Sequence, residues 1–129
     1  METRDPSIRD YTCSLTLEAK GTLGDHTVTG ALLGDGEIRI TNVDEFPINV
    51  PPSNYMLFTK HRDMPGIIGH IGSLLGSFNV NIASMQVGRK IVRGDAVMVL
   101  TIDDPLPEGV LSEITKISGI RDAYTVSLT

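Results

Sequence analysis

Residues 55–89, YMLFTKHRDMPGIIGHIGSLLGSFNVNIASMQVGR, change their hydrophobic period twice. Tyr55 to His61 alternates with the period of two that gives a strand one buried face. After Pro65-Gly66 the apolar residues recur as Ile67, Ile68, Ile71, Leu74, Leu75 and Phe78. All six fall within about 120° on a helical wheel of 3.6 residues per turn, so this stretch predicts a helix packed by one face. From Asn81 to Val92 the period returns to two.

The same logic extends downstream. A hairpin near Arg93-Gly94 leads into a strand from Asp95 to Asp103. Pro107 to Ser118 repeats the helical pattern with Val110, Leu111, Ile114 and Ile117, and Gly119 stands where a C-terminal cap is expected. Arg121 to Leu128 closes as a strand. The order βαββαβ is that of a ferredoxin-like split βαβ sandwich. The expected fold class is therefore α+β, with residues 54–129 as one domain.

Upstream the signal is all β. METRDPSIRD has no period and reads as a loose lead-in. Cys13, Leu15 and Leu17 then alternate with Thr12, Ser14 and Thr16. Turn residues at Gly21 and Leu23-Gly24-Asp25 precede a second strand, His26 to Leu33. Gly34-Asp35-Gly36 precedes a third, Glu37 to Val43. Short Gly/Asp turns between such runs give an antiparallel β meander. Phe46, Ile48 and Val50 continue the alternation weakly, and Pro51-Pro52 marks a linker. With no helix of its own to cover its apolar face, segment 1–53 reads as part of a domain.

Composition narrows the function. The chain has 129 residues, of which 40% are apolar and 21% charged, enough for a core and unlike a disordered chain. No apolar run approaches the roughly 20 residues of a membrane span, and no leader pattern opens the sequence, so a soluble, cytoplasmic protein is expected. One cysteine, Cys13, excludes an intramolecular disulfide and a thiolate-based metal site, and its strand position suits a small buried thiol. The net charge is −5, and residues 54–129 carry seven basic and seven acidic groups. That is no footprint for a nucleic-acid backbone. The strands from Asn81 to Asp103 also lack the aromatic residues on which a βαββαβ reader stacks bases.

Catalytic and metal patterns are missing. His26, His61 and His70 have no metal-ligand spacing, and no nucleophile elbow is present. Gly66, Gly69 and Gly72 run inside the predicted helix, whereas a nucleotide loop needs its N–H groups in a turn ahead of one. Asp103-Asp104, before Pro105 and Pro107, suit a solvated helix start. What stands out is His61-Arg62-Asp63-Met64-Pro65-Gly66, a strand-to-helix connection with unsatisfied backbone donors. Proline fixes that first turn and glycine lets a ligand approach the main chain. Asp63 can cap the helix or receive an ammonium group, and Asn81 offers both a donor and an acceptor. These groups suit a zwitterionic amino acid; they equally suit an ordinary helix cap and a turn asparagine.

HRDMPGIIGHIGSLLGSFNVNIASMQVGR closely resembles the ACT domain, a small amino-acid-sensing regulatory module. NVNIASMQVGR with the hairpin Gly94-Asp95-Ala96 is similar, more narrowly, to the C-terminal module of the bacterial D-3-phosphoglycerate dehydrogenase family. VTGALLGDGEIRITNVDEFPINVPP is similar to the end of the intervening domain that precedes it in the longer form of that enzyme. The resemblance implies an allosteric module that binds L-serine or a similar small amino acid. It places effector contacts on His61, Asp63 and Asn81, with backbone groups around Pro65, Gly66 and Ile67. It also implies an anion site in the preceding domain, for which Arg39 is the one matching basic residue, Pro51 and Thr101 occupying the other places. The catalytic domains and NAD of the parent enzyme would lie elsewhere, and the chain by itself is expected to be a non-catalytic fragment without cofactor or metal. A related alternative is the regulatory region of an iron–sulfur L-serine dehydratase, and another is a free-standing ACT sensor.

One expectation needs no resemblance. Opposite the apolar face of the predicted helix lie Gly66, Gly69, Gly72, Ser73, Gly76 and Ser77, without a formal charge. Glycine costs a helix interior about 1 kcal/mol relative to alanine, so a close neighbour is expected on this face. A second copy of the chain, giving a homodimer that shares the effector, is one candidate. The upstream meander is the other.

Overall fold

The computed structural model describes residues 2–3, 11–20, 24–34, 36–90 and 94–127. Two antiparallel sheets account for most of it. The first has five strands in sequential order: β1 (Glu2–Thr3), β2 (Tyr11–Lys20), β3 (Asp25–Leu33), β4 (Ile38–Val43) and β5 (Phe46–Val50). The second takes its strands from β6 (Tyr55–Arg62), β7 (Ile82–Arg89), β8 (Asp95–Ile102) and β9 (Ile120–Ser127), in the order β7-β8-β6-β9. Helices α1 (Ile67–Ser77) and α2 (Val110–Thr115) complete the predicted βαββαβ pattern.

The meander is larger than its sequence suggests. Glu2–Thr3 pairs with β2, so the lead-in includes a strand, and Phe46–Val50 is a full strand rather than a fading one. Pro47 is tolerated because β5 is a sheet edge, where a missing N–H breaks no ladder. The β4–β5 connection turns at Asp44 and Glu45, whose φ values of 49° and 76° are the positive pair a two-residue hairpin requires. The turn at Gly21 to Leu23, Asp35, the hairpin tip at Arg93 and the side chain of Cys13 lie outside the described residues.

The four-stranded sheet carries a core on each face, as strict alternation dictates. Leu57, Met98, Leu100 and Ala123 pack beneath the helices with Ile67, Ile71, Leu75, Val110 and Ile114. Met56, Phe58, Val97, Val99 and Tyr124 face the other way, onto Val28, Ile40, Val43 and Val50 of the meander. The layers are thus helices, sheet, sheet. The meander covers its apolar face with a sheet, not a helix. Gly88 of β7 marks the tightest approach, since a Cβ there would stand 2.5 Å from the carbonyl oxygen of Pro47.

Helix α2 is shorter than its pattern. It starts after Gly109 and ends at Thr115, and Gly119, with φ 95°, reverses the chain into β9. Asp103 and Asp104 do not cap it. Asp103 instead accepts a hydrogen bond from Asn81. No helix among the described residues is long and apolar enough to cross a membrane.

Candidate functional site

Strand β6 ends at Arg62, and four residues later Gly66 opens α1 with φ 91°. The backbone between is pinned from both sides. Arg62 N–H donates to the Gly119 carbonyl at 2.8 Å, and Asp63 N–H to that of Gly94 at 2.8 Å. The helix therefore enters at a fixed angle. No side chain caps it and no acidic residue occupies its first turn. Its first bond runs from His70 N–H to the Gly66 carbonyl, which leaves the N–H groups of the opening turn without helical acceptors. The residue at the cap position is Gly66. Asp63 Oδ2 accepts from Arg89 Nη1 at 2.7 Å, across from the end of β7. An uncapped positive helix end beside an oriented carboxylate offers a carboxylate site and an ammonium site at one place.

His61 stands two residues before Asp63, on the helix side of β6, and is 2% exposed. Its Nδ1 has no hydrogen-bond partner among the described residues, and neither does Thr59 Oγ1 on the same side of the strand. Burial holds the imidazole pKa below its usual 6.5, against the pull of Asp63 and Asp95. The ring is neutral at pH 7 and keeps an unspent polar atom at the foot of the helix.

The remaining predicted residues divide. Pro65, Gly66 and Ile67 join His61 and Asp63 in the same connection, with Ile67 buried beneath it. Asn81 does not join them. It precedes β7, whose other end is Arg89, and the ladder from Ile82 opposite Ile102 to Arg89 opposite Ala96 separates the two ends. At about 3.3 Å per residue, that is roughly 23 Å. Within one chain, then, Asn81 and Asp63 belong to opposite ends of the module. Arg39 lies in the meander, paired with Glu37 at 2.9 Å. Arg89 is the residue that sequence reasoning passed over. Its partner is remote in the chain, and only strand register brings the two together.

The glycine face settles one expectation. Cβ atoms added at Gly66, Gly69, Gly72 or Gly76 would meet nothing within 4 Å among the described residues, so no described part of the meander packs there. Ile68 and Phe78, predicted for the core, are exposed, and so is Val87 on the edge strand β7. Gly69 and Gly72 are helical, so these two do not form the turn a dinucleotide pyrophosphate needs. A cleft of about 390 Å³ lies at the opposite end of β6, lined by Tyr55, Leu106, Leu111 and Val126 among others, and contains none of the candidate residues.

Residues 55–119 match the ACT domain family. The chain is 78% identical to a D-3-phosphoglycerate dehydrogenase of Synechocystis over 99% of its own length and 23% of that protein's. To the D-3-phosphoglycerate dehydrogenase of Archaeoglobus fulgidus it is 36% identical, over 98% of the chain and 24% of the relative. A probable L-serine dehydratase beta chain of Bacillus subtilis is 28% identical over 75% of the chain and 44% of the relative. The chain thus spans about a quarter of the length of the dehydrogenases it matches.

Proposed function

The chain belongs to the ACT domain family, and from that membership we propose that it is an effector-binding regulatory module which takes L-serine and serves a D-3-phosphoglycerate dehydrogenase. The observation that carries this reading is the uncapped start of α1, flanked by buried, neutral His61 and by the Asp63–Arg89 pair. The opening N–H groups around Pro65, Gly66 and Ile67 receive the amino acid's carboxylate, with Arg89 adding charge. Asp63 receives the ammonium group. In this reading the chain senses, while oxidation and its NAD belong to the catalytic part of the enzyme. Residues 1–53 then form part of the intervening domain, and Arg39 is a residual anion contact.

Asn81 enters the site from a second copy. Two modules packed through the open glycine face and the β7 edge would bring Asn81 of one to the Asp63 end of the other. Exposed Ile68, Phe78 and Val87 give such a homodimer its apolar contact. Effector binding and dimerisation are then linked, and serine tightens the dimer.

Calorimetric titration with L-serine, glycine and L-alanine tests the reading. Loss of a charge-assisted hydrogen bond costs about 1.5–3 kcal/mol, so Asp63→Ala should weaken serine binding about 10- to 150-fold. Asn81→Ala should weaken it as well, and an equimolar mixture of the two variants should regain one site per heterodimer, about a quarter of all sites when subunits exchange at random. Unchanged affinity in both variants removes the site. The 28% match to the serine dehydratase chain supports a second reading, the regulatory region of such an enzyme. Joining the module to the catalytic part of each enzyme and assaying serine sensitivity separates them.

A further inference from the structure

On the meander side of the four-stranded sheet, His26 of β3 is 7% exposed and bound at both ring nitrogens. Nδ1 stands 2.5 Å from Asp44 Oδ2, in the β4–β5 turn. Nε2 stands 2.5 Å from Asp122 Oδ2, on β9. Each carboxylate is itself oriented: Asp44 Oδ1 accepts the Thr27 N–H and Asp122 Oδ1 the Ala123 N–H, both at 2.8 Å. The ring stacks on Tyr124 with centroids 4.3 Å apart, and Tyr124 stacks on Phe58 at 5.2 Å. The β4–β5 hairpin turn, in which Asp44 takes φ 49°, presents this carboxylate to the ring.

Two ionised carboxylates only accept, so two ring nitrogens facing them must both donate, and only the imidazolium does that. We propose that His26, as an imidazolium between Asp44 and Asp122, is a proton-dependent latch that fastens the meander to the ACT sheet. Its place is the back of the effector end, since Asp122 sits opposite Lys60 and Lys60 is followed by His61. A neutral ring can donate to only one carboxylate. The other then faces a lone pair in a buried setting, and the latch loosens.

The remaining charges around the ring are compatible with this. Lys60 of β6, Arg121 and Asp122 of β9 and Asp95 of β8 line a cleft of about 220 Å³ with His26. Arg121 and Asp95 offset one another at 3.4 Å. Lys60 opposes the imidazolium, and Asp44 and Asp122 favour it. Tyr124, whose hydroxyl is buried and pushed far above the usual tyrosine range, contributes no charge. Burial pulls the His26 pKa down, but its hydrogen bonds to Asp122 and Asp44 and their charges outweigh this and raise it above 6.5. For a raised pKa the stabilisation is complete below pH 6.5 and is lost as pH climbs through the folded-state value.

Nitrogen-detected imidazole spectra of the 129-residue chain between pH 5 and 9 test the latch. Both ring nitrogens of His26 should be protonated at pH 6, with a midpoint above 6.5 that falls in Asp44→Asn. Amide protection in β4 and β5, corrected for intrinsic exchange, should drop as His26 deprotonates and should lose that dependence in His26→Gln. A neutral tautomer at pH 6, a midpoint at or below 6.5, or protection indifferent to the charge of His26 overturns the proposal. If His26→Gln does not fold, the wild-type titration and Asp44→Asn decide alone.

Discussion

The two faces of the four-stranded sheet each bury a histidine, and they treat it oppositely. On the helix face His61 is buried with Nδ1 unpartnered, and desolvation keeps it neutral against the pull of Asp63 and Asp95. On the meander face His26 is also buried, yet two carboxylates keep it charged. The residue type is the same, and both rings are buried. What differs is the company: a buried ionisable group takes the charge state its hydrogen-bond partners can satisfy. The helix face therefore holds a polar atom in reserve, as a binding site requires, while the meander face spends both of its ring nitrogens on holding two sheets together.

The largest expected effect probes the division itself. Leu57 and Phe58 are adjacent, both fully buried, and feed opposite cores. Phe58→Ala should cost about 3–5 kcal/mol and Leu57→Ala about 2–5 kcal/mol. Hydrogen exchange should assign the damage: β4 and β5 lose protection in the first, α1 and α2 in the second. Equal loosening of both layers in both variants would mean that the faces are one cooperative unit. A smaller effect is expected at Gly88, where an added methyl meets the Pro47 backbone. Gly88→Ala should cost about 1–3 kcal/mol in urea unfolding, with the loss again confined to meander docking. The smallest concerns His61 alone. Its lowered pKa means stability is present above pH 6.5 and lost as pH falls through the folded-state value. His61→Leu should flatten that acid limb without altering the alkaline loss attributed to His26, as pH-dependent urea midpoints would reveal.

Legibility in the sequence followed the range of the interactions. The βαββαβ order was readable because period two and period 3.6 are local signals, and the His61 to Gly66 connection was readable because proline and glycine punctuate it. Ile68 and Phe78 share the periodicity of the buried residues, yet they are exposed, because the wheel fixes a face without saying how far the sheet beneath extends. β1, only two residues long, has no period to detect. The Asp63–Arg89 pair depends on register across β6, β8 and β7. The partners of His26 lie 18 and 96 residues away. No local pattern distinguishes His26 from a strand histidine facing water.

The central position of β6 has a consequence for the order in which the protein acquires its structure. The meander closes through short hairpins between neighbouring strands, whereas Leu57 of β6 must meet Leu100 and Thr125. Local pairings form first, and distant ones wait on loop closure. During synthesis the meander leaves the ribosome before β6, and β9, which supplies Tyr124 and Asp122, leaves after the other described strands. Until then Val28, Ile40 and Val43 have only part of their cover, and β6 presents an open edge to any neighbouring nascent chain. The strand that completes the mature core also ends the interval in which the chain is most prone to associate wrongly.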